Sequence, residues 1–351
     1  MKLAIYGANG YQGKLVLAEA VRRGLDVVLV GRDITRLRGA AAVVGLSGAD
    51  VRPAAVDDHD ALVAAFREAD AVVNCAGPFT PTGAAVVLAA IAAGRHYVDT
   101  AGEQPYIKEI FDTFGAEAEA AGVTVVPAAN DACVPVDLIA GLLAARLGPL
   151  EEIAGVHVIT GGGGPSRGTL RSVIESMDII KAGGLVYDDG DWRAGLPARH
   201  TSIILLGGSE AVPVATFPLP EVVTIPRHVQ VRHVEGLVEA ALSAQLSDPI
   251  DPEIIARLPE GPTEEGRRTQ RFTYVIDAVA ADGRHGRGVV EGPDTYGTTA
   301  VIAVESARRL VTDPAKPGVL TPAQAYDATG FLNFLVPHGV HWTIEEDTPG
   351  N

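Results

Sequence analysis

A short apolar run, residues 2–6, is followed at once by Gly7, Gly10 and Gly13, and then by apolar residues at helical spacing, Leu15, Leu17, Ala18 and Val21. Strand, glycine turn and helix in that order constrain the fold more than any other feature of the chain. The first glycine permits a tight turn, the second lets backbone approach a pyrophosphate, and the third lets the helix pack on the strand. The helix N-terminus then offers unpaired N–H groups and the positive end of its dipole to an anion. Gly7, Asn9, Gly10, Tyr11 and Gln12 are therefore candidate dinucleotide contacts. The alternative is a glycine-rich turn in an unrelated α/β domain.

The pattern that follows agrees with a nucleotide-binding sheet. Short strand-like runs over 25–30, 51–56, 71–75, 96–99 and 123–126 alternate with helical ones over 11–23, 33–44, 84–93 and 106–121. Asp33 and Asp58 stand where N-caps belong. This interleaving predicts a parallel sheet covered on both faces. Beyond residue 130 the pattern changes. One more helix, over 134–147 with Pro135 in its first turn, leads into strand-like segments over 152–160, 201–206, 211–217 and 221–224. Runs over 270–281 and 286–291 flank Asp282-Gly283, a hairpin signal. Helices are expected over 169–182 and 298–310, and a helix and a strand over 321–344. The last residues, 345–351, are polar and expected to fray.

Composition narrows the function classes. A formal charge of −16 repels phosphate polymers and anionic membranes, so no nucleic-acid partner is expected. Two cysteines, Cys75 and Cys133, build no disulfide framework and fit a reducing cytoplasm. The longest apolar run, 84–93, is too short to span a bilayer, and the N-terminus reads as a strand rather than a signal peptide.

The second strand should end near the adenine ribose, where an acidic side chain favours NAD. Here the chain reads Val30-Gly31-Arg32-Asp33. Arg32 can pair bidentately with a 2′-phosphate, with Arg36 and Arg38 adding to the field, which points to NADPH. Asp33 as the reader of the ribose is the alternative. Asp57 is a candidate for the adenine amine or a surface-turn aspartate. After the fourth strand, Cys75, Ala76, Gly77, Pro78 and Phe79 are placed to approach the nicotinamide ribose, Phe79 as a wall, or to form a plain turn with a buried ring.

The stretches GANGYQG, LVGRD, VVNCAGPF and HYVDTAGE together resemble the saccharopine dehydrogenase-like NADP-binding family, which includes saccharopine reductases and trans-acting enoyl reductases. The resemblance covers about the first 140 residues closely and the rest loosely. It implies an α/β fold: a doubly wound Rossmann sheet, residues 1–130 plus 312–351, interrupted by an α+β substrate and dimerisation domain, 131–311. A mostly antiparallel second sheet can pair across a two-fold axis, the commonest oligomer symmetry, so a homodimer is expected. The substrate half departs from saccharopine reductases, since no arginine set suited to a polycarboxylate is evident, and Asn130-Asp131-Ala132-Cys133 resembles only a degenerate form of their turn.

Hydride transfer needs an acceptor facing the nicotinamide, a donor for developing negative charge and a proton source. No Tyr-x-x-x-Lys pair marks the acid. Glu103, Asp131 and Tyr187 are the catalytic candidates, with Asp99, Tyr106, Asn130, Cys133, Thr169, His228 and His233 behind them. For each of these a capping or packing role is the alternative. Trp192 and Tyr296 are candidate pocket walls. Histidines and cysteines show no metal-ligand spacing. The expected activity is an NADPH-dependent reduction of a conjugated C=C or C=O in a fairly apolar small molecule, free or carrier-bound, in secondary metabolism. An imine reductase and a non-catalytic NADPH sensor are the alternatives.

Overall fold

The computed structural model describes residues 1–46, 48–204, 210–248, 251–313 and 316–346. The first domain runs β1 (Lys2–Tyr6), α1 (Tyr11–Arg22), β2 (Asp26–Gly31), α2 (Ile34–Val43), β3 (Asp50–Pro53) and α3 (His59–Phe66). It continues β4 (Ala71–Asn74), α4 (Gly83–Ala93), β5 (His96–Asp99), α5 (Gln104–Thr113), α6 (Gly115–Ala120) and β6 (Thr124–Val126). The strands pair in parallel in the order β6-β5-β4-β1-β2-β3. Such a sheet has no wet face, and Leu3, Ala4 and Ile5 are accordingly all buried. Asp33 and Asp58 do cap: their carboxylates accept the backbone N–H of Arg36 and Ala61. α4 packs on α3 and over Tyr106, whose ring lies 2.3 Å from where a Cβ on Gly83 would stand, so only glycine fits there.

α7 (Val134–Leu147) leads into the second domain, and β7 (Leu150–Thr160), α8 (Arg167–Glu175), α9 (Met177–Lys181), β8 (Leu185–Asp188) and β9 (Asp191–Ala194) follow. Then come β10 (Ser202–Ile204), β11 (Ala211–Thr216), α10 (Glu221–Thr224), β12 (Val231–Glu239), α11 (Ala240–Ser247), α12 (Pro252–Arg257) and α13 (Glu264–Thr269). β13 (Arg271–Ala280), β14 (His285–Pro293) and α14 (Thr295–Thr312) lead to β15 (Gly318–Val319), α15 (Pro322–Ala325), α16 (Ala328–Leu335) and β16 (His341–Glu346). The second sheet is ordered β10-β11-β12-β7-β13-β14-β16, with the β8–β9 ribbon attached at β12. Its pairs are antiparallel except β12 with β7.

α7 is a layer common to both domains. Its apolar side chains press so closely on β14 that a Cβ on Gly288 would stand 2.1 Å from Ile139. One apolar cluster runs from Leu3 and Leu17 through Val134 and Ile139 to Ile153, Tyr274 and Val290. Asp137 is buried in this helix and is matched on both oxygens, by His228 Nε2 at 2.9 Å and the Ala323 N–H at 2.8 Å.

The C-terminal segment divides between the sheets. β15 joins the first in parallel beside β6, whereas β16 pairs with β14 in the second. α14, placed by sequence in the substrate domain, packs on α1, β4 and β5 of the first sheet through Ala300, Ala303 and Ala307.

Three expected elements differ. Residues 221–224, rich in β-branched side chains, form the helix α10 instead of a strand; Pro220 precedes it and the turn is wholly buried, so packing outweighs propensity. The helix expected over 106–121 breaks at Phe114, a buried ring followed by Gly115. The one expected over 169–182 starts earlier, capped by Ser166, and breaks at Ser176. Leu205 and Leu206, assigned to a strand by sequence, and the tail 347–351 lie outside the described residues. Among the described residues no helix is long and apolar enough to cross a membrane.

Candidate functional site

A cleft of about 810 Å³ lies between the two domains, beyond the carboxyl ends of the first sheet's strands. One wall is the glycine turn. Gly7 adopts φ +79°, donates its N–H to Val30 and lies so close to Ala76 that a Cβ would stand 2.9 Å away. A Cβ on Gly13 would stand 2.2 Å from the Gly7 carbonyl oxygen, so that glycine sets how tightly α1 seats on the turn. Gly10 is the N-cap of α1 and has no side chain to close it, which leaves first-turn amides available to a phosphate. Gly7, Asn9, Gly10, Tyr11, Gln12, Arg32 and Arg36 all line the cleft, and so do Cys75, Ala76, Gly77 and Phe79 at the end of β4. This is a cradle of backbone that added side chains would fill, with two arginines at the β2 end, and it fits a dinucleotide carrying a 2′-phosphate. Burial pushes the Cys75 thiol up, so it stands here as a packing group.

Pro78 and Asp57 are not part of the lining. The Pro78 carbonyl accepts the Thr82 hydroxyl at 2.6 Å. Asp57 is near Tyr6, whose pKa is raised by burial, with that carboxylate adding to the effect and Arg32 opposing it. Asp33 lines the cleft, and its side chain is spent on capping α2.

Of the three catalytic candidates, Asp131 lies in the cleft with chemistry attached. It is 9% exposed; its Oδ2 accepts the Tyr274 hydroxyl and its Oδ1 accepts the Thr299 hydroxyl at 2.7 Å. Burial raises its pKa and outweighs these donors and the nearby His157. Tyr274 is pushed well above its ordinary value by burial and then by the Asp131 charge, so it keeps its proton. The His157 ring stacks on Tyr274 at 4.1 Å between centroids, and its Nε2 lies 2.8 Å from the carboxylate of Glu221, itself 1% exposed.

Glu103 also lines the cleft, but both oxygens are taken. They accept the N–H of Phe79 and Thr80 at 2.8 and 2.7 Å, and the hydroxyls of Thr80 and Ser172 at 2.5 and 2.6 Å. Glu103 thus ties the β4 loop to α8 across the cleft. Tyr187 is outside the lining, in β8, packed on Trp192 at 5.0 Å. Trp192 in turn lies under Arg227 and Lys108.

The remaining candidates divide similarly. Asp99 is buried beneath the cleft and accepts from Tyr106 at 2.7 Å and from the N–H of Ala101 and Ala128. Asn130 spans Ala101 and Cys133, and Cys133 is buried against Thr224. His233 pairs with Asp188 in β8. Tyr296 does form a wall: it meets Tyr11 edge-on at 5.1 Å, and its hydroxyl accepts the Ser166 N–H and bonds Thr169 Oγ1 at 2.9 Å.

Tyr274, His157 and Thr299 were missed by sequence. Alternation along β13 places Phe272, Tyr274, Ile276 and Ala278 on one buried face, and a phenol in such a series needs a hydrogen-bond partner. That was the available signal.

Residues 3–126 match the family model of the saccharopine dehydrogenase NADP binding domain. A lipid droplet localized protein of Caenorhabditis elegans is 32% identical over 186 residues, which are 49% of this chain and 44% of that protein. A trans-acting enoyl reductase of Mycobacterium tuberculosis is 30% identical over 140 residues, 39% of this chain and 34% of its own. The chain thus spans less than half the length of these curated relatives. Apo saccharopine dehydrogenase (L-Glu forming) of Saccharomyces cerevisiae shares the fold, with a TM-score of 0.62 over 99% of this chain and 100% of that one at 14% identity. It is through this first domain that the chain is similar to saccharopine dehydrogenase NADP-binding proteins.

Proposed function

We propose that the protein is an NADPH-dependent reductase acting on a polarised C=C or C=O of a fairly apolar small molecule, free or carrier-bound. The observation that carries this reading is a single cleft that holds the glycine cradle, the arginine pair and the buried Tyr274–Asp131 pair together. Its far wall is apolar: Leu170 and Val173 of α8, Ile180 of α9, Leu219, and Leu242 and Leu246 of α11. Arg171 and Ser176 line the cleft beside these side chains, so a polar group of the substrate has donors to meet there. The name of the mycobacterial relative favours a C=C acceptor.

NADPH, when bound, supplies hydride. Gly7, Gly10 and the first turn of α1 hold its phosphates, Arg32 and Arg36 its 2′-phosphate. Asp131 and Tyr274 store and move the proton. The raised pKa of Asp131 lets its carboxyl carry a proton at higher pH than an ordinary aspartate, and that O–H then donates to Tyr274 Oη. Tyr274 turns its own hydrogen toward the cleft and donates to the substrate atom that gains negative charge. Thr299 fixes Asp131, and Glu103 keeps the Phe79 loop in place.

In this reading the protein works in the cytoplasm, in secondary metabolism, as a homodimer formed across the second sheet. Cys75 and Cys133, both free, agree with a reducing compartment. Light scattering of the purified protein measures the mass, and a monomer there removes the dimer.

The deciding experiment incubates the protein with NADPH deuterated at C4 and a panel of enones, aryl ketones and cyclic imines. A product heavier by one deuterium establishes the reductase, and its class selects C=C, C=O or C=N. Tight NADPH binding with no labelled product from any member of the panel supports the sensor alternative and counts against the reductase.

A further inference from the structure

Glu260, in the loop after α12, lies in the cleft lining among cations from three different elements. Its Oε2 is 2.5 Å from Lys14 Nζ of α1, and its Oε1 is 3.6 Å from Arg36 Nη2 of α2 and 3.9 Å from Arg167 Nη2 of α8. The loop is fastened there. The Glu260 carbonyl accepts the Arg167 N–H at 3.0 Å and the Pro262 carbonyl accepts the Tyr11 hydroxyl at 2.6 Å. Gly261 lies so near the Tyr11 ring that a Cβ would stand 2.6 Å from it. One carboxylate thus occupies a cluster of three cations at the β2 end of the cofactor cradle, where Arg36 would meet an adenosine phosphate.

We infer that Glu260 is the resident counter-ion of the 2′-phosphate subsite and sets the affinity gap between NADPH and NADH. This rests on the cofactor half of the proposed function. Carboxylate and phosphate use the same charge-assisted donors, so they compete for Lys14, Arg36 and Arg167. A dianionic phosphate displaces the single carboxylate and matches the cluster more fully. NADH, which has no 2′-phosphate, leaves Glu260 in its seat.

The test uses the full chain, wild type and Glu260→Gln, titrated calorimetrically with adenosine 2′-monophosphate, NADPH and NADH. In E260Q, adenosine 2′-monophosphate and NADPH are expected to bind about three- to tenfold more tightly, the scale of one partly exposed ion pair, with NADH unchanged. Unchanged NADH affinity also shows that the variant is folded. Glu260→Asp, which keeps the charge, is expected to retain the wild-type gap. If wild type prefers NADPH and E260Q leaves the gap as it was, or weakens NADPH, the inference is overturned and the cofactor reading survives. If wild type binds NADPH no more tightly than NADH, the cofactor reading fails and takes the inference with it.

Discussion

The two walls of the cleft are assembled by different means. The cofactor wall is largely local: residues 7–12 close a turn on which Gly13 lets α1 seat, and the one distant contact that shapes it is Gly7 against Ala76. The proton wall is not. Thr299 reaches Asp131 across 168 residues of chain, and Tyr274 across 143. Local backbone geometry is fixed wherever the turn forms, whereas the acid pair exists only when both sheets are in register around α7. The first wall should therefore fail by backbone substitution and the second by loss of a single hydroxyl.

The hardest blow to the cofactor wall is Gly13→Val. A Cβ there overlaps the Gly7 carbonyl at 2.2 Å, so α1 must back away from the turn. NADPH affinity is expected to fall about a hundredfold or more, roughly 3 kcal/mol, by fluorescence titration. Retention of binding would mean that the turn does not hold the phosphates.

On the opposite wall, Tyr274→Phe keeps the ring stacked between His157 and Phe272 and removes only the hydroxyl. Turnover of whichever substrate the panel yields should drop about 10²- to 10⁴-fold with NADPH affinity intact. Equal loss in binding and turnover would erase the distinction between the walls.

Arg32→Ala probes whether the cofactor wall reads the phosphate as well as holding it. NADPH is expected to bind about tenfold more weakly and NADH as before, the scale of a charge-assisted hydrogen bond. A parallel loss for both would leave Arg32 a general contributor and return the ribose to Asp33.

The smallest effect tests the layer between the walls. Burial disfavours the His228 cation, yet the Asp137 carboxylate outweighs it and the pKa is raised. A raised histidine binds its proton more tightly in the folded state. Its contribution is therefore full below about pH 6.5 and lost as pH rises through the folded value. Melting temperatures of wild type and His228→Asn should diverge on the acid side and converge on the alkaline side, the smallest of the four effects. A difference that does not vary with pH would reduce the pair to a neutral hydrogen bond.

The same division decides what could be read from the chain itself. The glycine spacing, the capping aspartates and the Asp282-Gly283 turn act within a few residues, so periodicity and residue type reveal them. Glu103 and Tyr187 were nominated by position and by type; what sorted them was tertiary. Glu103 sits at the right strand end, but the three residues that donate to it include Ser172, 69 residues away. Tyr187 faces Trp192 across a ribbon whose short-range signal, the Asp189-Gly190 turn with both residues at positive φ, was passed over. α10 reads as a strand because Val222, Val223 and Thr224 favour one, and only burial on every side makes it a helix. Tyr274 needed the register of β13 against β7, which no single segment contains.

The apolar cluster that passes through α7 has a mechanical consequence. With Ile139 pressed into the groove at Gly288, the two sheets share one apolar layer in addition to the cluster each has on its other face. Calorimetry should show a single cooperative transition. Swinging the sheets apart would break this shared layer, so passage of ligands into the cleft falls to its rim, above all to the loop that Glu260 fastens.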